Sequence, residues 1–493
     1  MIHPVDRFLA SASRLPNSTA ISIQQSTWTY AELECRVRSL ARSYGEHRGA
    51  RILIALPPSL DAYAAILASM LSGGTYTPVN VSSPVSKLQK IAASLQPDII
   101  VAEGSLAGTL AQAVTSVKTI VPSTVSSDLR FEGDGARNER AYVMFTSGST
   151  GVPKGVVVLA SGLANYVDWL ASFGFDPTDR VSQQANLGFD LSVNDVFGAL
   201  CYGAALVPIT TEADRLTPAR FIKREQITIW NSTPSVVGLM MTARQLKTEN
   251  LKSVRLINFC GEPLFREILD GIFAALPSVR VQNTYGPTEA TVAVTCLSLN
   301  AQNYRNYLRS SIAIGDPIPG MRLFLRGGGH QDEGEIVICG PQLAEGYWLD
   351  PLKTTEAFRD VECDGKQVHG YFTGDWAERH SGHIYFRERI DFQVKVRGHR
   401  VELDEVAAAL RNCGWPVAFV FKNDEALSAL VEMVEGNDFD EKSLRSQLKE
   451  LLDSYAVPER VLSVQRIPRS DNDKIDREAC AALFKQIHRG ART

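Results

Sequence analysis

Short apolar runs of strand length alternate, along most of the chain, with stretches whose apolar residues recur at helical spacing. Residues 51–56 and 99–101 are strand-like, and residues 60–71 between them have the spacing of a helix. The alternation continues through further strand-like runs at residues 227–230 and 254–258. Strands that alternate with helices are typical of parallel sheets covered by helices. The sequence therefore predicts an α/β fold built on parallel sheets.

The pattern changes in the last third of the chain. Residues 312–338 contain short strand-like runs broken by Gly-Asp-Pro, Pro-Gly and Gly-Gly-Gly turns, which indicates a small antiparallel or barrel-like piece. Strand-like runs at residues 417–421 and 427–434 precede helical stretches at residues 441–453 and 477–487. Because 493 residues exceed one ordinary hydrophobic core, we expect the last part of the chain to form a separate α/β lobe.

Composition excludes several functional classes. A hydrophobic content of 44% and a charged content of 22% are ordinary for a globular protein. A net charge of −4 gives no basic footprint for nucleic acid or a membrane surface, so neither partner is expected. The eight cysteines form no CxxC pair, which argues against disulfides and zinc sites. The first residues contain no signal-peptide core and apolar runs are too short to span a bilayer, so a cytoplasmic location is expected.

A loop rich in hydroxyl groups and glycine has the chemistry of a phosphate-binding site. Residues 145–155 read Phe-Thr-Ser-Gly-Ser-Thr-Gly-Val-Pro-Lys-Gly, between two apolar runs. Glycines allow the backbone to approach an anion closely, and hydroxyl groups and a lysine add donors and charge. The predicted ligands are Thr146, Ser147, Gly148, Ser149, Thr150, Gly151 and Lys154. The spacing is not that of a Walker A loop. A flexible Gly/Ser loop beside a strand is the alternative.

This loop and eight further motifs, in order, resemble the adenylate-forming superfamily of acyl-CoA synthetases, luciferases and amino-acid adenylation domains. The other motifs are Trp28-Thr-Tyr-Ala-Glu-Leu33, Gly73-Gly-Thr-Tyr-Thr-Pro78, Phe189-Asp-Leu-Ser192, Asn283-Thr-Tyr-Gly-Pro-Thr-Glu289, Gly334-Glu-Ile-Val-Ile-Cys-Gly340, Tyr371-Phe-Thr-Gly-Asp375, Arg389-Ile-Asp-Phe-Gln-Val-Lys-Val-Arg-Gly398 and Asp473-Lys-Ile-Asp-Arg477. Within the superfamily, the motifs that begin at Ser232, Asn258 and Asn283 look most like those of D-alanine–carrier protein ligases.

The resemblance implies a division of the chain into two parts. Residues 1–390 would form a large adenylation domain, with two α/β subdomains and the barrel-like piece. Residues 391–493 would form a small mobile lobe with its hinge at Asp391. Lys474 would contact the substrate carboxylate and the α-phosphate during adenylation, and without the resemblance it reads as an exposed surface lysine. Asp473 stands where the family usually has glycine.

The resemblance also implies a nucleotide site. Asp375 would accept hydrogen bonds from the ribose hydroxyls, and Arg389 would hold the ribose or a phosphate. Tyr285 would stack on adenine, and Glu289 would bind Mg²⁺, which commonly takes one or two protein carboxylates. The remaining implied contacts are Asn283, Thr284, Gly286, Pro287 and, at the α-phosphate, Thr288. Alternatives are a turn aspartate for Asp375 and helix capping for Thr288 or Glu289. Glu388 replaces a usual glycine, and we expect it to point outward or to pair with Arg387 or Arg389.

Asp190 is the best candidate for substrate selection. A carboxylate in a pocket needs a cation, and the ammonium of an amino acid would supply one. The alternative is a helix N-cap. By positional matching to adenylation domains, the pocket also contains Leu191, Asn194, Asn231, Asn258, Cys260, Thr284, Val292 and Ala293. The resemblance implies a small, alanine-like substrate, whereas Asn194 and Asn231, which are more polar than the corresponding residues of the D-alanine ligases, favour a small substrate with a polar side chain.

The resulting hypothesis is an amino-acid adenylating enzyme that uses ATP and Mg²⁺. No carrier attachment motif follows Arg477, so the phosphopantetheinylated carrier protein is expected to be a separate chain. Two alternatives stay open at this point. One is acyl-CoA synthetase-like activation of a small carboxylic acid, against which Asp190 argues. The other is a non-catalytic regulator with the adenylate-forming fold.

Overall fold

A computed structural model of the chain describes residues 1–45, 49–126, 131, 138–148, 153–327, 332–363, 365–390, 393–423, 426–434, 438–469 and 475–490. It divides into two compact units. The first comprises Met1–Val81, Ala92–Phe145 and Gly155–Ile390, and the second comprises Ser82–Ile91, Thr146–Lys154 and Asp391–Thr493.

The strands, in chain order, are β1 Thr19–Ile23, β2 Ser26–Thr29, β3 Arg51–Ala55, β4 Thr75–Pro78, β5 Ile99–Ala102, β6 Lys118–Ile120, β7 Arg140–Thr146, β8 Lys154–Leu159, β9 Arg180–Gln183, β10 Ala205–Pro208, β11 Ile229–Ser232, β12 Leu256–Phe259, β13 Arg280–Tyr285, β14 Thr295–Leu299, β15 Asp316–Pro317, β16 Arg322–Gly327, β17 Glu333–Cys339, β18 Gly346–Tyr347, β19 Phe358–Cys363, β20 Lys366–His380, β21 His383–Arg389, β22 Gln393–Val396, β23 His399–Glu402, β24 Ala418–Asn423, β25 Ala426–Glu432 and β26 Arg460–Val464.

The α-helices are α1 Pro4–Arg14, α2 Tyr30–Tyr44, α3 Leu60–Leu71, α4 Val85–Leu95, α5 Gly104–Ala111, α6 Ala160–Leu170, α7 Leu191–Leu200, α8 Glu212–Leu216, α9 Pro218–Glu225, α10 Pro234–Thr242, α11 Thr248–Leu251, α12 Arg266–Ala275, α13 Pro351–Ala357, α14 Leu403–Asn412, α15 Glu441–Lys449 and α16 Arg477–Gly490. Among these described helices, none combines the length and the apolar composition needed to cross a bilayer.

Two large sheets form the first unit, and both are mainly parallel. One has nine strands in the order β15-β14-β13-β12-β11-β9-β10-β1-β2, and its antiparallel pairs lie at the two edges. The other has seven strands in the order β18-β8-β7-β4-β3-β5-β6, with parallel pairs from β7 to β6. Strands such as β4 and β5 are buried along their whole length, as expected where helices cover both faces of a sheet. The predicted α/β fold is confirmed.

A third sheet of the first unit is antiparallel. Its five strands follow the order β16-β17-β20-β19, and β21 pairs with β20. Of the two sequence alternatives, an antiparallel piece or a barrel, the structure has the antiparallel sheet. The long strand β20 runs from residue 366 to residue 380, so it brings the Phe-Thr-Gly-Asp motif into register with β21.

The second unit has its own hydrophobic core. Strands β24, β25 and β26 form a three-stranded sheet, and β22 and β23 form a hairpin. Helix α14 packs on β24, and Trp415 and Leu448 lie in the core. A buried ion cluster also lies within this unit, where the Lys87 ammonium is 2.7 Å from an Asp453 carboxylate oxygen and 3.6 Å from a Glu405 carboxylate oxygen.

Candidate active site

Two of the three amide side chains predicted for the substrate pocket, those of Asn231 and Asn258, lie on neighbouring parallel strands of the nine-stranded sheet. Asn231 on β11 is in register with Asn258 on β12, one residue before each strand ends. Thr284 lies at the end of β13, and its hydroxyl donates to the Phe259 carbonyl over 2.7 Å. Ligands of parallel α/β sheets usually bind beyond the carboxyl ends of the strands. The strand order therefore brings together residues that are far apart in the sequence.

Asp190 and Leu191 begin α7, the helix that packs against β9 and β10. Asp190 occupies the N-cap position, but its side chain makes no capping hydrogen bond. The capping alternative is therefore wrong for this structure. Burial raises the pKa of the Tyr142 and Tyr166 hydroxyls well above the usual value, and the nearby Asp190 carboxylate contributes in the same direction. Asp190 thus lies beside a group of buried hydroxyl groups.

Asn194 is held inside the protein by hydrogen bonds. The Tyr166 hydroxyl donates to its carbonyl oxygen over 2.9 Å, and its own amide donates to an Asp195 carboxylate oxygen over 3.3 Å. Asp195 is only 1% exposed, and burial raises its pKa well above the usual value. The sequence reasoning missed Asp195, because a residue five positions after Asp190 on an amphipathic helix is expected on another face, whereas every residue of α7 is buried.

Two other side chains predicted for the pocket have buried polar atoms without partners in the described part of the chain. There, Nδ2 and Oδ1 of Asn231 and Oδ1 of Asn258 take part in no hydrogen bond. The Asn231 amide acts to lower the pKa of Asp195, but the distance and angle between the two side chains are not those of a hydrogen bond. Unpartnered buried amides are costly, and in native proteins each needs an explanation such as a bound ligand. They can contribute hydrogen bonds to a substrate.

Cys260, Val292 and Ala293, the remaining residues predicted to line the pocket, are all buried. The Cys260 thiol lies 3.9 Å from the Val292 carbonyl oxygen. A Cβ atom at Gly286 would lie 2.6 Å from the Ala293 Cα and 2.7 Å from the Val292 oxygen, so only glycine allows this backbone approach. Small and medium-sized side chains therefore form a tightly packed wall.

Asp375 and Arg389 meet through the register of β20 and β21. Arg389 Nη1 donates to Asp375 Oδ1 over 2.6 Å, and the Tyr285 hydroxyl donates to Asp375 Oδ2 over 2.6 Å. Burial and the Asp375 charge raise the pKa of Tyr285 well above its usual value. Thr373, which the sequence reasoning did not select, accepts from the Asp375 amide and donates to the Ile336 carbonyl. The turn-aspartate alternative leaves these contacts unexplained, since both carboxylate oxygens bind side chains.

Glu388 is exposed, so the outward orientation expected for it is observed. The two arginines beside it form ion pairs elsewhere. Arg387 pairs with Glu378, and Arg389 pairs with Asp375. The unusual acid at position 388 therefore does not neutralise the arginine of the predicted nucleotide site.

Glu289 is completely buried, and its Oε1 accepts a hydrogen bond from the Tyr347 hydroxyl over 2.9 Å. It lies in the 3₁₀ turn Thr288–Ala290, whose N-cap residue is Pro287 and which has no side-chain cap. Thr288 and Glu289 therefore do not cap this turn. A buried carboxylate with neighbouring hydroxyl groups is a hard-oxygen donor set, which fits Mg²⁺ with substrate phosphates as its further ligands. Asn283 precedes this turn, and its amide donates to the Ala313 carbonyl over 2.9 Å.

The phosphate loop lies between β7 and β8, as the apolar runs predicted. The Thr146 hydroxyl donates to the Lys154 carbonyl over 3.4 Å, and the Ser147 hydroxyl donates to the Arg400 carbonyl over 2.9 Å. Gly148 follows directly. Five predicted positions lie outside the described residues, namely Ser149, Thr150, Gly151, Asp391 and Lys474.

The fold and these sites define an adenylate-forming enzyme, and comparison with known proteins agrees. The family described as AMP-binding enzyme matches residues 8–348, so the chain belongs to the AMP-binding enzyme family. A D-alanine--D-alanyl carrier protein ligase of Listeria monocytogenes serotype 4a is 31% identical over 84% of this chain and 85% of its own length. One from Staphylococcus aureus is 30% identical over 97% and 99%. The Vibrio cholerae adenylation domain AlmE, solved with glycyl-adenosine-5'-phosphate, is 28% identical with a TM-score of 0.84 and covers 98% of both chains. The family resemblance drawn from the motifs is confirmed.

Proposed function

We propose that the protein activates a small amino acid with ATP to an aminoacyl-adenylate and transfers it to the phosphopantetheine thiol of a separate carrier protein. The names of the Listeria and Staphylococcus relatives support the carrier as the acceptor. The reaction forms AMP, consistent with the family. We expect the enzyme to act in the cytoplasm, where ATP and carrier proteins are available.

The observation that carries the proposal is the Asp190 carboxylate at the start of α7, near the buried Tyr142 and Tyr166 hydroxyls. The predicted pocket would also contain the Asn231 amide and Asn258 Oδ1, which have no hydrogen-bond partner among the described residues. An ammonium group would pair with the carboxylate, and a fatty or aromatic carboxylic acid would not. This chemistry favours an amino acid over the substrates of an acyl-CoA synthetase.

The residues proposed to bind the nucleotide are held in position by their own hydrogen bonds. Asp375 can accept from ribose hydroxyls because Tyr285 and Arg389 fix the direction of its carboxylate. Hydroxyl groups of the phosphate loop, from Thr146 to Thr150, together with Lys154, would donate to phosphate oxygens. Mg²⁺, when bound with Glu289, would neutralise charge on the phosphates. Lys474 would position the carboxylate at the α-phosphate, where charge stabilisation and alignment supply most of the catalysis.

The substrate is proposed to be small. Cys260 and Val292 contact each other across the pocket wall, which restricts the length of a side chain. Asn194 is bound by Tyr166 and Asp195, so it contributes to the wall more than to substrate recognition. Glycine, alanine or a serine-sized amino acid fits these restrictions, and the unpartnered Asn231 amide favours the serine-sized one.

ATP–pyrophosphate exchange tests the first half-reaction. The panel contains the twenty proteinogenic amino acids, D-alanine and D-serine, with propionate as the analogue that lacks the ammonium group. We expect exchange with one or a few small amino acids and little with propionate. A radiolabelled loading assay with phosphopantetheinylated carrier protein and with coenzyme A tests the second half-reaction. Efficient activation of propionate together with transfer to coenzyme A would replace this proposal with an acyl-CoA synthetase.

A further inference from the structure

Residues 288–293 form a turn that links the predicted metal ligand to the wall of the substrate pocket. Glu289 lies at one end of the turn and Ala293 at the other. Thr291 and Val292 both have left-handed backbone conformations, with φ of 57° and 69°. Left-handed φ is unfavourable for β-branched residues, and such strain persists only where the surroundings impose it. A specific set of contacts must therefore hold this turn.

The side chain of Gln342 supplies those contacts. Its amide nitrogen lies 2.9 Å from the Ala293 carbonyl oxygen and 3.2 Å from that of Ala290, with the Thr291 carbonyl at 3.4 Å. The Gln342 side chain is completely buried. One amide group thus binds carbonyls on both sides of the left-handed residues.

Gln342 is itself fixed from the other side. The Asn165 amide on α6 donates to Gln342 Oε1 over 2.9 Å, and the Thr291 hydroxyl donates to the Gln342 backbone carbonyl over 2.7 Å. Helix α6 approaches so closely that a Cβ atom at Gly162 would lie 3.1 Å from the Pro341 oxygen and 3.2 Å from the Gln342 Cα. The glutamine therefore connects α6 to the turn through hydrogen bonds at both ends of its side-chain amide.

The segment that follows Gln342 holds the same turn at its metal end. The Ala344 amide donates to the Glu289 backbone carbonyl over 2.8 Å. Tyr347 donates to the Glu289 carboxylate over 2.9 Å and belongs to β18, which pairs with β8, the strand that leaves the phosphate loop. Residues 342–347 thus contact both the backbone and the side chain of the turn.

We propose that Gln342 is a positioning residue of the substrate pocket: by holding the left-handed turn it sets the positions of Val292 and Ala293 and thereby the selectivity for a small amino acid. The inference rests on the proposed function for the identity of the pocket. Gln342 does not contact the substrate in this scheme. It acts through the backbone carbonyls of the turn.

The test is Gln342→Met, which keeps the length of the side chain and removes both its amide donor and the oxygen that accepts from Asn165. We expect the ratio of kcat/KM for the preferred small amino acid over that for valine to fall about tenfold, which corresponds to about 1.4 kcal/mol. The change should lie mainly in the KM for the amino acid. Tyr44→Phe is the matched control, because it removes a buried side-chain-to-carbonyl hydrogen bond, from the Tyr44 hydroxyl to the Ala65 carbonyl, between α2 and α3, which carry no predicted site residue.

Hydrogen exchange measured by mass spectrometry gives a second readout that needs no activity. In Gln342→Met the peptide that covers residues 286–295 should exchange its amide hydrogens faster than in the wild type, and in Tyr44→Phe it should not. If Gln342→Met does not fold, Asn165→Ala, which removes the bond to Gln342 Oε1, should change exchange and selectivity in the same direction to a smaller extent. Unchanged selectivity and KM despite faster exchange would overturn the positioning role. A wild-type enzyme that activates no amino acid would refute the proposed function. The hydrogen-exchange data would still show whether Gln342 holds the turn.

Discussion

Replacement of Asp190 by asparagine removes the negative charge of the side chain and keeps its size. Because asparagine is as common at the N-cap position of helices as aspartate, the substitution suits the start of α7. A role in ammonium binding predicts a specific loss, because asparagine has no charge. A hydrogen bond to a charged group contributes about 1.5–3 kcal/mol, which corresponds to a rise of about 10- to 150-fold in the KM for the amino acid.

The structure restricts where this loss can arise. The Asp190 side chain makes no capping bond at the start of α7, and asparagine has the same size, so we expect the variant to keep the fold. The KM for ATP should stay unchanged. Pyrophosphate exchange at varied amino-acid and ATP concentrations, with a thermal melt of each variant, measures all three quantities. Asp176→Asn, at an exposed aspartate, is the matched control. An unchanged amino-acid KM in Asp190→Asn would refute the ammonium assignment.

Three further predictions concern the second unit. Lys474→Ala should slow pyrophosphate exchange at least about 100-fold, as expected for a transition-state charge contact of about 3 kcal/mol, while transfer from preformed adenylate to the carrier is retained; near-normal exchange would contradict the assignment. Asp391→Pro fixes φ near −65° and should restrict the hinge, so loading of the carrier should fall while pyrophosphate exchange persists. An equal loss of both half-reactions would argue against a hinge at Asp391. Lys87→Met should lower the melting temperature, because buried Asp453 and Glu405 lose their cation. Burial acts to raise the pKa of Asp453, but the Lys87 ammonium outweighs burial and holds that pKa below the usual value. The stabilisation of the fold by this ion pair is therefore present at neutral pH and is lost as the pH falls below about 4. A difference in melting temperature between Lys87→Met and the wild type that does not shrink below about pH 4 would refute the ion cluster as the source of the difference.

The fold was predictable because periodicity is a local property of the sequence. Residues 60–71 have helical spacing and form α3 over the same bounds, and the run at 99–101 lies within β5. The end of the predicted helix at 441–453 was placed too late, since α15 stops at Lys449. The antiparallel sheet from β16 to β21 was less certain from the sequence, because short strands with turns suit an open sheet and a barrel equally well.

The candidate site was predictable only where a motif marks it. Asp190 and Asp375 belong to recognisable motifs, and a carboxylate at each position indicates that it binds a cation or accepts hydrogen bonds. The role of Gln342 depends on its contact with Ala293, about fifty positions earlier in the chain. Such a long-range contact leaves no periodic pattern in the sequence. Asp195 lies in a helix that is buried on every side, so the usual assignment of charged residues to a solvent face fails there.

The polar groups of the pocket divide into two sets with different consequences for the substrate. The Asn194 amide donates to Asp195, and the Asn194 oxygen accepts from Tyr166, so both ends of the Asn194 side-chain amide are engaged within the protein. The Asn231 amide has no hydrogen-bond partner in the described residues, and a substrate hydroxyl could supply one. A site that hydrogen-bonds a side chain rejects analogues without that group by large factors, whereas an apolar pocket distinguishes one methylene only about 10- to 200-fold. A preference for serine over alanine well beyond that range would mean that Asn231 binds the side chain. A preference for alanine within it would mean that the contact between Cys260 and Val292 sets the limit by size alone.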